Sequence, residues 1–203
     1  ESSQLEFHPA CYNILYAGVG TELKVSYNNG ASSYSLYDFE EKVTSVEVSW
    51  SNPEVIYVAT WTDWWGDKHL WRSTDGGNSF IEITPSELEQ TWIPFDITVS
   101  SFDENTLWIA RCSMYGDVWD AQGEEVFKST DGGSTWINFS TNTLDNINAT
   151  NIEHQRGSDG GVYLGTRTGV YYRKNSMSDW EPYQNGLANN AYSTQLIPYY
   201  KES

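Results

Sequence analysis

Cationic side chains are scarce in this 203-residue chain, where 11 Lys and Arg residues stand against 28 Asp and Glu residues, a formal net charge of −17. Nucleic acids and anionic membrane surfaces are bound by clustered Lys and Arg, so the sequence argues against both partners. No run approaches the roughly 20 apolar residues of a membrane span. The chain begins with Glu1 and opens with no signal-peptide pattern. We expect a mature or excised piece of a longer protein.

Cysteine and histidine are also rare. Cys11 and Cys112 cannot form a disulfide framework, and we predict two free thiols. The three His residues show no metal-ligand spacing, and His154 is predicted to face a central channel or a neighbouring repeat. The sequence also lacks a phosphate-binding loop and a dinucleotide fingerprint. We therefore expect no metal site and no cofactor.

Aromatic residues, by contrast, make up 15% of the chain, and a repeat organises them. Residues 70–80 read LWRSTDGGNSF and residues 126–136 read VFKSTDGGSTW, with a shared Ser-Thr-Asp-Gly-Gly-x-x-aromatic core. Weaker copies are VYYRKNSMSDW at 170–180, with Asn175 in place of the Asp, and LKVSYNNGASSY at 23–34. Self-similarity of this kind predicts a repeat architecture.

A second landmark supports the same division. A short β-type run precedes each copy, and counting back 11 residues from the aromatic of each run gives four apolar positions, Leu5, Val46, Ile97 and Ile152. Each repeat is thus predicted to hold four antiparallel strands, a to d, which is typical of a blade of an all-β β-propeller. Predicted limits are 1–42, 43–92, 93–148 and 149–190, and 191–203 is interpreted as the first strand of a further blade. A single propeller segment, an arc of a larger propeller, is expected.

The Ser-x-Asp-x-Gly-x-x-aromatic segments resemble the Asp-box, or bacterial neuraminidase repeat. This repeat occurs in sialidases, xyloglucan-cleaving endoglucanases, the sortilin family and photosystem assembly propellers. The stretch GVYLGTRTGVYYRKNSMSDWEPYQNGL resembles the last blades of large sortilin-type bacterial surface proteins. The resemblance implies a propeller fold and an extracellular or cell-surface location. It implies no particular activity, because these families share blades and not chemistry.

The box residues are expected to be structural. Short Asp side chains accept backbone N–H bonds in turns, Gly permits positive φ, and the closing aromatic ring can be buried between blades. The resemblance implies a turn on the face opposite the usual binding site. The residues assigned to this role are Ser73, Asp75, Gly77 and Phe80 in blade two and Ser129, Asp131, Gly133 and Trp136 in blade three.

A ligand is expected on the face that carries the connections between strands b and c. Two of these connections are long, at 60–69 in blade two and 111–125 in blade three. Flat aromatic rings pack on sugar C–H faces, and Trp and Tyr also dominate protein-binding hot spots. The candidate ligand-binding residues are Trp61, Trp64, Trp65, Tyr115 and Trp119. Alternatively, these rings only plug the gap between two blades.

Three functions remain open. The first is a non-catalytic extracellular module that recognises a polysaccharide or a protein. The second is part of a glycoside hydrolase, which needs two carboxyl groups about 5–5.5 Å apart for retention or about 6.5–9.5 Å apart for inversion. The candidates are Asp63, Asp67, Asp117 and Asp120. The third is an architectural segment of a large adhesin or sorting receptor. An open arc exposes apolar blade faces, so self-association or docking to missing blades is also expected.

Overall fold

A computed structural model describes residues 2–62, 68–85, 95–112, 125–183, 186 and 192–197. These residues form four separate four-stranded antiparallel sheets, in which each strand pairs with the next one along the chain. The prediction of an all-β fold built from four-stranded blades is therefore confirmed.

The strands of each blade are named here in chain order. Blade one contains β1 (Ser2–Phe7), β2 (Leu15–Val19), β3 (Glu22–Ser26) and β4 (Tyr34–Asp38). Blade two contains β5 (Lys42–Val48), β6 (Ile56–Trp61), β7 (Lys68–Ser73) and β8 (Ile81–Glu82). Blade three contains β9 (Phe95–Val99), β10 (Leu107–Arg111), β11 (Val126–Ser129) and β12 (Ile137–Asn138). Blade four contains β13 (Ala149–His154), β14 (Val162–Thr166), β15 (Val170–Arg173) and β16 (Glu181–Pro182).

The apolar cores lie between consecutive blades. Successive side chains of a strand point to opposite faces of its sheet, so one strand contributes to two cores. In β6, Ile56 and Val58 pack against blade one, whereas Tyr57 and Ala59 pack against blade three. A third core joins blades three and four around Trp108 and Trp180. Burial on both faces explains why β6 and β10 consist entirely of buried residues.

Hydrogen bonds link the innermost strands of consecutive blades. In each of them, a side chain of one blade accepts a backbone N–H of the next blade. Ser45 Oγ accepts the Ile97 N–H at 3.3 Å, and Asp96 Oδ2 accepts the Ile152 N–H at 2.9 Å. Two residues further along, Glu47 Oε1 accepts the Val99 N–H and Thr98 Oγ1 accepts the His154 N–H. These bonds satisfy edge N–H groups that no strand pairs, and they fix the order of blades two, three and four.

Residues 192–197 are not part of a strand but lie against blade four. The Ser193 N–H donates to the Thr166 carbonyl at 3.0 Å, and Thr150 Oγ1 donates to the Ser193 carbonyl at 2.6 Å. A short 3-10 helix, Asn142–Leu144, follows β12. None of the helical segments within the described ranges has the length and apolarity that a membrane crossing requires. Cys11 and Cys112 are free thiols, as predicted.

Candidate functional site

The two long b–c connections leave neighbouring blades. In blade two the connection joins Trp61, at the end of β6, to Lys68, at the start of β7. In blade three it joins Arg111, at the end of β10, to Val126, at the start of β11. The apolar core that contains Tyr57, Leu70 and Ile109 holds these two pairs of strands together. The roots of both connections are thus positioned by one shared core.

Most of the candidate ligand-binding residues and all of the candidate catalytic carboxylates lie outside the described residues; these are Asp63, Trp64, Trp65, Asp67, Tyr115, Asp117, Trp119 and Asp120. Trp61 is described, and it is buried, with 9% of its surface exposed. Little of this ring is therefore open to a ligand.

Charged side chains are buried at both roots, which the sequence pattern did not indicate. Lys68 is 1% exposed at the start of β7, and Arg111 and Glu125 are 5% and 2% exposed on either side of the blade-three connection. The Arg111 N–H donates to the Glu125 carbonyl at 2.9 Å, which closes the root of that connection. Buried charges are costly unless they interact with partners. We therefore expect each of these charged side chains to have a specific partner at its root.

A Glu–His pair lies beside the root of the blade-two connection. Glu41 Oε2 lies 2.8 Å from His69 Nδ1 and accepts a bond from Thr60 Oγ1 at 2.5 Å. Trp71 Nε1 donates to Thr60 Oγ1 at 2.9 Å. The contact with the Glu41 carboxyl group therefore orients the His69 ring. Sequence reasoning missed the pair because its members are 28 residues apart and meet only in the folded blade.

The half-buried thiol of Cys112 lies at the blade-three root. Burial raises its pKa well above the ordinary value, and the nearby carboxylates of Asp96 and Glu125 raise it further. A thiolate is the nucleophilic form of cysteine. Cys112 is therefore expected to be a weak nucleophile at neutral pH.

The box residues of blades two and three form matching turns on the opposite face. Ser73 Oγ accepts the Gly77 N–H at 2.8 Å, and Ser129 Oγ accepts the Gly133 N–H at 2.9 Å. Asp75 accepts bonds from the hydroxyl and the backbone N–H of Ser79, and these bonds lower its pKa to about 2. The carboxylate is thus held ionised by its own turn.

The other two copies of the motif, in blades one and four, differ from each other. In blade one, Asn28 Oδ1 accepts the Ser32 N–H at 2.9 Å, so an amide makes the bond that Asp75 makes in blade two. In blade four, Asn175 instead accepts a bond from Lys128 Nζ at 2.7 Å and donates to Asp159. The blade-four side chain therefore serves the contact between blades three and four.

The closing aromatic of a box packs on the blade before it. Phe80 lies 5.0 Å from Phe39 of blade one between ring centroids. Trp136 Nε1 donates to the Ile83 carbonyl of blade two at 3.3 Å. Trp180 Nε1 donates to the Phe139 carbonyl of blade three at 3.0 Å. Each ring seals the interface with the preceding blade.

A cavity lies at the centre of the arc, where the innermost strands lead into the a–b connections. Its volume is about 200 Å³, and it is lined by Glu6, Glu47, Trp50, Thr98, Val99, Ser101, Glu153, His154 and Arg156. Burial raises the pKa of Glu6 to about 7 and that of Glu153 to about 8. Within the described part of the chain, no three His, Cys, Asp or Glu residues are arranged to hold a metal ion.

Comparison with known proteins shows similarity to larger β-propellers. An ancestral GH74 enzyme superimposes with a TM-score of 0.66 and 25% identity, over 89% of this chain and 23% of that chain. The GH74 xyloglucanase from Xanthomonas campestris superimposes with a TM-score of 0.65 and 14% identity, over 89% of this chain and 30% of that chain. YCF48 bound to D1 peptide gives a TM-score of 0.61 and 11% identity, over 93% of this chain and 56% of that chain.

No protein-family model matches the sequence, and a search of curated proteins finds no match. The chain spans less than two thirds of each similar structure, from 23% to 56% of its length. The comparisons therefore establish a segment of propeller architecture that is shared by GH74 xyloglucanases and YCF48.

Proposed function

We propose that this chain is part of an extracellular β-propeller that recognises a carbohydrate polymer without cleaving it. The ligand lies across the b–c connections of blades two and three. The observation that carries the proposal is the pairing of two long connections, rich in Trp, Tyr and Asp, on two blades that share one core. Rings of this kind pack on sugar C–H faces, and carboxylates accept bonds from sugar hydroxyls.

Three features support this location. The roots of both connections are rigid, because Trp61, Lys68, Arg111 and Glu125 are all buried. Binding residues on loops work best when a rigid scaffold positions them. The Glu41–His69 pair adds a directed hydrogen-bonding group next to the first connection, with about a quarter of the His69 side chain exposed. Finally, one of the structural neighbours is a xyloglucanase, an enzyme that acts on a polysaccharide.

Binding is tested with a panel of plant, algal and bacterial polysaccharides, by calorimetry and Trp fluorescence. Trp64→Ala and Trp119→Ala are each expected to weaken binding about tenfold or more, because a hot-spot aromatic contributes about 1.4 kcal/mol or more. The matched control is Tyr12→Ala, since Tyr12 is 75% exposed but lies in an a–b connection on the other face. Equal loss in all three variants, or no binding to any polysaccharide, would contradict the proposal.

Glycoside hydrolysis is the second candidate, favoured by the two GH74 enzymes among the structural neighbours. It requires a general acid and a second carboxylate on facing connections. New reducing ends that disappear in both Asp63→Asn and Asp117→Asn would establish cleavage and replace the recognition proposal.

Peptide recognition is the other outcome of the panel. YCF48, with a similar fold, is seen with a bound peptide. Binding of unstructured peptides in place of polysaccharides, with the same Trp64→Ala sensitivity, would move the ligand class to protein and keep the site. Protease accessibility of the parent protein on intact cells tests the proposed extracellular location.

A further inference from the structure

A groove lies between blades three and four, on the face that carries the a–b connections and the c–d turns. Its volume is about 480 Å³. Small-molecule sites usually have volumes of about 300–1,000 Å³. Trp108 and Lys128 line the groove from blade three, and residues 157–160 line it from the a–b connection of blade four. The groove is thus on the face opposite the b–c connections of the proposed polysaccharide site.

Two contacts close the equivalent position between blades two and three. Tyr57 Oη donates to the Glu104 carbonyl at 2.7 Å, and Arg72 Nη2 donates to Asn105 Oδ1 at 2.7 Å. Tyr57 and Arg72 face each other across strands b and c of blade two, and both acceptors lie in the a–b connection of blade three. Both contacts therefore cross from one blade to the next at the position that the groove occupies between blades three and four.

Neither contact is repeated between blades three and four. Trp108 and Lys128 face each other across strands b and c of blade three, as the tyrosine and the arginine do in blade two. Trp108 Nε1 has no hydrogen-bond partner among the described residues. The position of Asn105 is taken by Gly160, since each stands one residue before the carbonyl that closes its a–b connection. Glycine has no side chain to meet the Lys128 ammonium, so the space between the blades stays open.

A chain of hydrogen bonds fixes three polar side chains that line the groove. Lys128 Nζ donates to Asn175 Oδ1 at 2.7 Å, and Asn175 Nδ2 donates to Asp159 Oδ1 at 3.1 Å. Burial lowers the pKa of the Lys128 ammonium, and the nearby charge of Asp159 opposes this shift. The second carboxylate oxygen of Asp159 and the remaining N–H groups of Lys128 can bond to a ligand. The two charges cancel, so the groove offers a strong donor and a strong acceptor without a net charge.

Phe102 adds an exposed aromatic ring to the lining. It lies in the a–b connection of blade three, and it is 69% exposed. Blade two has Ser51 at the same position, two residues after the serine whose N–H closes the connection. Thr130, which is also exposed, contributes a hydroxyl group from the c–d turn. The groove thus combines a flat apolar surface with donors and acceptors of hydrogen bonds.

We propose that this groove binds a neutral sugar ring. Sugar hydroxyls donate and accept hydrogen bonds, and the C–H face of the ring packs on an aromatic side chain, which matches Lys128, Asp159 and Phe102. An ionic ligand is not favoured, because an anion would meet the charge of Asp159 and a cation that of Lys128. A wholly apolar ligand would remove water from both charged groups and replace none of its hydrogen bonds.

Binding is tested with methyl glycosides of glucose, galactose and mannose, titrated into the full chain up to about 20 mM and followed by NMR. Methyl glucuronide is the anionic probe, and an uncharged Gly-Ser peptide is the peptide probe. At least one neutral glycoside is expected to bind saturably and more tightly than both of the other probes.

Two variants of the groove are expected to weaken this binding. Phe102→Ala removes the ring and should weaken it about fivefold or more, and Asp159→Asn removes a charged acceptor and should weaken it about threefold or more. Both residues are exposed, so both variants are expected to fold. The matched controls are Tyr12→Ala, in the a–b connection of blade one, and Asp145→Asn, after the 3-10 helix. Each control should change the affinity less than about twofold.

Trp64→Ala separates this groove from the proposed polysaccharide site. Glycoside binding that persists in Trp64→Ala and falls in Phe102→Ala belongs to the groove, whatever the polysaccharide panel shows. Three results would overturn the proposal. The first is the absence of saturable binding of any neutral glycoside. The second is binding that is lost in Trp64→Ala and unchanged in Phe102→Ala, which would place the sugar at the b–c connections. The third is tighter binding of the glucuronide or the peptide, which would assign the groove to that class of ligand.

Discussion

Ser73 holds the turn of blade two through a single buried hydroxyl. Its Oγ donates to Asp75 Oδ1 at 2.7 Å and accepts the Gly77 N–H at 2.8 Å, and the side chain is 1% exposed. Ser73→Ala leaves the buried Gly77 N–H without an acceptor and is expected to lower the free energy of unfolding by about 1–3 kcal/mol. Urea denaturation measures this loss.

Asp75→Asn is the matched variant for this turn. It is expected to be milder than Ser73→Ala, because Asn28 makes the equivalent bond in blade one. A larger loss for Asp75→Asn than for Ser73→Ala would show that the carboxylate charge, and not the hydroxyl, holds the turn.

The buried glutamates give the protein an unusual pH dependence. The folded-state pKa of Glu153 is raised to about 8 from an ordinary value of 4.5, so above pH 4.5 the folded state binds more protons than the unfolded state. Stability therefore falls as pH rises from 4.5 to 8. Glu153→Gln is expected to be more stable than the natural chain by about 1–3 kcal/mol at the upper end of this range, after allowance for coupling to Glu6. Near pH 4 the two should be equal.

His154 acts in the opposite direction. Its folded-state pKa is lowered to about 4 from 6.5, so the unfolded state binds more protons between these values and acidification destabilises the fold. Thermal unfolding from pH 4 to pH 8 is thus expected to show a maximum in the natural chain and a weaker alkaline decline in Glu153→Gln. An unchanged alkaline slope in the variant would mean that Glu153 ionises normally.

At the scale of elements, the Trp180 ring packs in the interface between blades three and four. Trp180 is 2% exposed, and its Nε1 donates to the Phe139 carbonyl. Trp180→Ala is expected to cost about 3–5 kcal/mol of unfolding free energy, and Trp180→Phe about 1–2 kcal/mol because it keeps most of the apolar contact and loses the bond. Urea denaturation of both variants measures these losses.

Tyr183 is the control for this interface. It follows strand d of blade four as Phe139 follows strand d of blade three, and both residues donate an N–H to strand c. Tyr183 is 57% exposed, so Tyr183→Ala is expected to cost less than about 1 kcal/mol. A loss that matches Trp180→Ala would mean that the outer edge of blade four is packed as tightly as the interface.

The strands could be predicted from the sequence because their information is local. Period-two alternation, the box turns and the four equal spacings each specify a strand or a turn without reference to distant residues. The glutamates of the cavity also had a signal, since they share one repeat position. A charged residue on a strand ordinarily faces solvent, however, and only the curvature of the arc brings Glu6, Glu47 and Glu153 together. The Glu41–His69 pair had no local signal, because Glu41 lies in the connection between blades one and two and His69 lies in β7.

At the scale of the whole molecule, the arc has two unlike edges. Leu5 and Phe7 occupy the positions that Val46 and Val48 fill in blade two, where they are buried against blade one. Among the described residues no blade packs against Leu5 and Phe7, which are 54% and 48% exposed. The edge of blade four instead presents Tyr183 and the backbone beside Ser193. By analogy with the interfaces between consecutive blades, we expect the two edges to be complementary.

We therefore expect the isolated chain to self-associate edge to edge. Its charge of −17 opposes association through repulsion, so added salt is expected to strengthen it. Sedimentation velocity at rising protein and salt concentrations should show a mass above the 23.1 kDa of one chain. Phe7→Glu is expected to reduce association, whereas Tyr12→Glu adds the same charge at a residue that is 75% exposed outside the edge and should have little effect. A single species of monomer mass at all concentrations would show that the exposed apolar edge is stable in water without a partner.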